Sequence, residues 1–189
     1  DLLLRSAMRR AEANTLSANI HSFWLKGKTP TECRTAIRML CQYFARDTGK
    51  LHSVFIDGVA DLVDDVNQQD ECNALVSELE AMAVRYKCPF ITVIHQNPGS
   101  QKTRGHLGSQ LERKAESNLQ LEKDGETTVI FSTKQRRAPI SKDTGPRFQW
   151  SVEHGMHRSV GSIGEAKDTE KVGIWKDEIT DIFADHPSL

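Results

Sequence analysis

Two short apolar runs in this sequence end in groups that can do chemistry. Val54-Phe55-Ile56 runs into Asp57-Gly58, and Phe90 to Ile94 runs into His95-Gln96-Asn97. A carboxylate at the carboxyl end of a parallel strand sits where open α/β sheets bind ligands. It can hold magnesium through the ion's water shell, because magnesium keeps several waters and takes few protein ligands. An imidazole at the end of a neighbouring strand can sense a phosphate or polarise a water. Each group also has an ordinary reading. Asp57 can cap the following turn, and His95 can bond a backbone carbonyl while Gln96 and Asn97 make the turn. Neighbouring parallel strands would bring both polar ends together and strengthen the case for each.

Basic residues gather further along. The loop Lys102-Thr103-Arg104-Gly105-His106-Leu107-Gly108-Ser109 has two glycines among cations just before a helix, a pattern suited to an anion-binding turn or to a solvated loop. Lys134-Gln135-Arg136-Arg137 closes a strand. Residues 102–147 hold ten Lys/Arg against six Asp/Glu, while the whole chain carries a net charge of −1, so the positive charge is local. Such a patch contacts phosphate or is simply solvated, and no interleaved aromatics suggest base stacking. Asp61, Asp64 and Asp65 lack calcium-loop spacing and read as a solvated loop. Cys33, Cys41, Cys72 and Cys88 fit no zinc or redox spacing and read as reduced thiols. There is no GxSxG elbow for a serine hydrolase.

The elements that must position these groups follow from periodicity. Residues 1–15 read as a helix and 19–26 as a short buried strand. Thr29-Pro30-Thr31-Glu32 is a capping-box start for a helix to about Arg46. Strand Val54–Ile56, a helix over about 70–86, strand Phe90–Ile94 and a short helix near Leu107–Ala115 follow. Later strands fall near 117–122, 127–133 and 147–152, with turns at Asp124-Gly125 and Gly145-Pro146. Alternating strands and helices followed by hairpins predict an α/β fold, parallel in its core with antiparallel edge strands. Residues 1–160 form the expected core, 161–173 a polar linker, and 174–189 the start of a helical segment marked by Trp175, Ile179, Ile182 and Phe183. At 189 residues with 38% hydrophobic and 27% charged residues, the composition is that of an ordinary soluble domain. No apolar run approaches the ~20 residues of a membrane span, and no targeting signal is visible, so a cytoplasmic protein is expected.

Taken in order, the motifs over roughly residues 50–160 resemble the RecA-like P-loop ATPases, most nearly the RepA/DnaB-type hexameric helicase branch of plasmids, phages and mobilizable elements. Val54-Phe55-Ile56-Asp57-Gly58 resembles Walker B, which implies Asp57 as the residue orienting hydrated Mg2+. Ile91 to Gln96 resembles the sensor strand, with His95 sensing the γ-phosphate of ATP beside Gln96. Thr103 to Ser109 resembles the loop facing the central DNA channel, which implies nucleic-acid contacts for Lys102, Arg104 and His106. Lys134-Gln135-Arg136 resembles the late Lys-x-Arg element, with Arg136 as an arginine finger acting on a neighbouring subunit and Lys134 as its companion. The resemblance implies a RecA-like three-layer sandwich, ATP and Mg2+ as ligands, DNA as partner and a homo-oligomeric, hexameric ring.

The sequence departs from that family in one large respect. No G-x-x-x-x-G-K-[ST] occurs in it, and Glu12 does not suit the catalytic glutamate. The expectation is therefore the second half of a motor core, lacking its first strand and P-loop and inactive toward ATP by itself. One rival is a degenerate RecA-like module that binds or assembles without hydrolysis. The other is a metal-dependent hydrolase built on Asp57, Asp61 and His95.

Overall fold

Thr29 illustrates how local chemistry sets the elements. Its hydroxyl accepts from the Glu32 amide at 3.3 Å, and the Glu32 carboxylate accepts from the Thr29 amide at 2.8 Å. Two otherwise orphaned donors are thus satisfied, and Pro30 occupies a first-turn position where no amide is needed. The helix they start, α1 (Pro30–Thr48), ends at Gly49 in the left-handed conformation. Hydrogen bonds from Thr29 hold the Glu32 carboxyl below its ordinary range. A lowered folded-state value means stability that is present above the unfolded carboxyl range and lost as pH falls through the folded value. Thr29→Ala is expected to cost about 1 kcal/mol and to flatten the acid limb of a urea-midpoint profile. An unchanged limb would show that the box contributes nothing.

This computed structural model describes residues 20–97, 99–100 and 102–161, the Thr48 side chain aside. The helix expected over 1–15, the segment 174–189 and nearly all of the 161–173 linker lie outside these residues. The chain divides into two compact units, with boundaries between Ser22 and Phe23 and between Ala115 and Glu116.

The unit from Phe23 to Ala115 is α/β. After α1 come β1 (Val54–Asp57), a 3-10 turn (Val59–Leu62), α2 (Gln69–Tyr86), β2 (Phe90–Val93) and α3 (Gly105–Lys114). The helical stripes close a core of Ile56, Val59, Leu62, Cys72, Leu75, Leu79, Met82 and Leu107 among others. Burial of this kind contributes on the order of 1.5–3 kcal/mol per large side chain. Glu78 on α2 takes Arg34 at 2.6 Å and Arg38 at 3.0 Å, pinning α1 to α2 at the edge of that core. All four cysteines are buried free thiols. Burial, with Cys88 adding to it, pushes the Cys41 thiol up to about 11.

Strands β1 and β2 pair in parallel, Val54 to Phe90 through Asp57 to Val93. The alternation puts Val54, Ile56, Phe90 and Thr92 on the covered face, and Phe55, Asp57, Ile91 and Val93 on the exposed one. The strand expected over 19–26 is not there. Residues 20–26 form no strand, and Phe23 and Trp24 are exposed. His21 and Ser22 break the apolar run, only Leu25 reaches the core, and Phe23 settles on Phe44 with ring centroids 6.0 Å apart.

The second unit, described over residues 116–161, is an antiparallel meander. It runs β3 (Ser117–Asp124), β4 (Thr127–Gln135), β5 (Arg147–Ser151) and β6 (Met156–Gly161), in that spatial order. Strand β6 was not foreseen, because its one buried apolar residue, Met156, sits among polar neighbours. The described residues therefore hold two sheets, a parallel pair and an antiparallel set of four, where a single mixed sheet was expected. The α/β class with parallel and antiparallel strands stands. Among the described residues, no helix is long and apolar enough to cross a membrane.

Candidate functional site at the strand ends

Parallel pairing of β1 with β2 brings the two polar strand ends side by side. Asp57 is the last residue of β1 and registers with Val93, the last of β2, two residues before His95. Asp57, His95 and Gln96 are all exposed. The peptide from Asp57 to Gly58 is cis. Beyond it the chain turns directly into the 3-10 turn, whose Val59 and Leu62 are buried and anchor the aspartate's backbone to the core. An exposed carboxylate at this place suits a hydrated divalent ion, held through water rather than by direct ligation.

The loop after β2 is closed on itself. The Arg104 amide donates to the His95 carbonyl at 3.1 Å and the Asn97 amide to the Lys102 carbonyl at 2.9 Å, while Gln96 bridges Thr103. The loop then feeds α3 through Gly105 at φ 69°, where a side chain would lie 2.7 Å from the Val66 carbonyl oxygen. The Leu107 amide in the first turn of α3 donates to that same carbonyl at 2.9 Å. So the amide that an anion would seek there is already engaged. The Thr103 hydroxyl reaches Glu112 at 2.8 Å, and Gln110, buried, meets His106 at 3.1 Å. His106 is thus tied to its own helix, while Lys102 and Arg104 are exposed.

A cleft of about 490 Å³ opens beside this loop. Asp61, Asp64, Asp65, Asn67, Asn97 and Arg104 line it. Asn67 and Asn97 have no spacing that would mark them in the sequence. Their place follows only from the loop closing against the turn after β1. Glu71 accepts from the Asp64 amide at 2.9 Å, and Asp65 from the Asn67 amide at 2.8 Å. Among the described residues, no three His, Cys, Asp or Glu side chains gather as metal ligands.

Lys134 and Gln135 end β4 in the other unit, and Arg136 follows at the surface. Arg136 meets Glu116 at 3.6 Å, with both side chains about 60% exposed. Arg137 is exposed as well. The structure thus groups Asp57, His95, Gln96, Lys102, Arg104 and His106 in one unit and Lys134 and Arg136 in the other. No protein-family model matches this sequence, and a search of curated proteins returns no match.

Proposed function

We propose that this chain is part of a RecA/DnaB-like ATPase core, which in the intact protein binds and hydrolyses ATP to drive movement along or unwinding of DNA in the cytoplasm. The observation that carries the reading is the parallel register of β1 and β2, with Asp57 beside Val93 and His95 two residues on. That is the arrangement a magnesium-orienting carboxylate and a neighbouring phosphate sensor require. The residues present fit the metal side of such a site and not the phosphate side. The exposed Asp57 carboxylate suits the water shell of Mg2+, but the 189 residues hold no glycine-rich phosphate cradle with its lysine. Bound magnesium would neutralise charge on the phosphates. Asp57 would orient its waters, His95 and Gln96 would face the terminal phosphate, and Lys102, Arg104 and His106 would lie toward nucleic acid. Arg136, with Lys134, would reach a nucleotide on an adjacent subunit, so the reading calls for a homo-oligomer, in the ring form a hexamer.

The coding sequence ahead of Asp1 provides the first test. An in-frame G-x-x-x-x-G-K-[ST] is expected there, and in the protein so extended Asp57→Asn should cut ATP turnover at least ~100-fold. A start codon immediately ahead of Asp1 would favour a RecA-like module that binds or assembles without hydrolysis. By itself the 189-residue chain is expected to release no phosphate from ATP. Turnover that survives purification and vanishes in Asp57→Asn would contradict this.

A further inference from the structure

The side of α1 turned away from the core is aromatic and basic. Met39, Tyr43 and Arg46 recur at i, i+4 and i+7, the spacing of one helical stripe, and all three are exposed. Cys33 and Cys41 take the buried side of the same helix. The rings continue beyond the stripe. Tyr43 stands edge-on to Phe44 at 5.1 Å between centroids, and Phe44 meets Phe23 at 6.0 Å. Trp24 follows Phe23, with the Lys26 ammonium 5.9 Å from its ring centroid. Phe23, Trp24, Met39 and Tyr43 each leave more than half of their surface to solvent. Large apolar groups gathered at the surface in this way mark a place where something binds.

The charge around these rings is one-sided. Residues 23–50 hold six Lys/Arg against two acids, in a chain whose net charge is −1. Arg34 and Arg38 are occupied by Glu78, while Lys26, Lys28, Arg46 and Lys50 are exposed. Of the two acids, Glu32 is engaged by Thr29 in the capping box, which leaves Asp47. We propose that this surface binds single-stranded nucleic acid, with Trp24 and Tyr43 stacking on bases and Lys26, Lys28 and Arg46 meeting the phosphates. Rings interleaved with cations suit a single strand, since every base has a face to stack and every phosphate a charge to neutralise. A duplex keeps its bases stacked on one another, so exposed rings select an unpaired strand. An apolar protein partner suits the place less. Interface cores are depleted in lysine, and covering Trp24 would strip water from the Lys26 ammonium with nothing in exchange. Neither Asp57 nor His95 takes part, so failure of the ATPase reading would leave this surface untouched.

The test uses the whole chain with Trp24 as its only tryptophan, through Trp150→Phe and Trp175→Phe, titrated with oligothymidylate. Stacking should quench Trp24 saturably, and affinity should fall as salt rises. Tyr43→Ala should weaken binding about 5- to 100-fold, while Tyr43→Phe, which keeps a ring, should retain it. Arg46→Ala should make the salt slope shallower by about 0.7. Both positions are exposed, so the fold should survive either change. An unquenched Trp24 would overturn the proposal, and so would quenching that neither Tyr43→Ala nor Arg46→Ala alters. Quenching lost in Lys102→Ala with Arg104→Ala but kept in Tyr43→Ala would move the strand to the loop after β2, and would also overturn it. A Trp24 emission that shifts with chain concentration and ignores the oligonucleotide would give the face to a second copy instead.

Discussion

On the ATPase reading proposed above, replacing Arg136 with alanine in an assembled, P-loop-bearing form should lower ATP turnover by on the order of 10³ to 10⁵ while nucleotide affinity stays nearly unchanged. An arginine finger meets charge that develops in the transition state, so its loss appears in kcat and scarcely in ground-state binding. The surroundings of Arg136 suit that task. Its contact with Glu116 is 3.6 Å long between two exposed side chains. A surface pair of this kind contributes at most about 1 kcal/mol, so the guanidinium can leave Glu116 for a phosphate at little expense. Arg136→Lys should recover only part of the rate, because an ammonium cannot offer the planar, forked donors of a guanidinium. Turnover and nucleotide-affinity measurements on the two variants decide the matter. An equal loss of affinity in Arg136→Ala would remove the trans role and leave Arg136 as an ordinary binding residue.

Leu107→Ala should destabilise the Phe23–Ala115 unit by roughly 2–5 kcal/mol. Leu107 is fully buried, and it is the point where α3 enters the core of Leu75, Val59 and Cys72. Truncation leaves a cavity that the first turn of α3 cannot collapse into, because that turn is held by the Leu107 amide on Val66 and by the close approach of Gly105 to the same residue. The effect should appear as a lowered urea midpoint with an unchanged slope in the transition of that unit, while probes in the β3–β6 sheet keep theirs. Loss of both transitions together would show that the two units unfold as one. A change under about 1 kcal/mol would mean that the site loop rests on something other than this side chain.

The elements that the sequence makes legible are those whose local signals agree. Thr29, Pro30 and Glu32 announce α1 because three independent capping rules coincide there. The stripes Leu75–Leu79–Met82 and Cys33–Ile37–Cys41 have the period of a helix, and the helices sit within about two residues of their expected ends. Asp57 and His95 are legible as strand-end groups because short apolar runs precede them, and β1 and β2 do lie side by side in parallel. Legibility fails where tertiary partners decide. The run around Phe23 looks like a strand until one asks what would pair with it. β6 is a strand because β5 offers its edge, although Met156-His157-Arg158-Ser159 shows no strong alternation. The cleft wall of Asn67 and Asn97 depends on a loop closing on a turn some thirty residues earlier, and no spacing rule reaches that far. The RecA-like reading rests on the order of its motifs along the chain.

The two kinds of pairing in this chain also impose an order on its formation. In the β3–β6 meander each strand hydrogen-bonds to the next one along the chain, across two residues for β3–β4, four for β5–β6 and the eleven of 136–146 for β4–β5, so every partner lies nearby in sequence. The β1–β2 pair is different. Val54 meets Phe90 only after the 3-10 turn and all of α2 have been laid down between them. Until then the unpaired edge of Val54-Phe55-Ile56, with Phe55 still 72% exposed even in the finished unit, is open to errant partners on a nascent chain. On a ribosome this gives α2 a second task besides packing. Its own rapid local formation shortens the interval during which the strand that carries Asp57 waits for its neighbour.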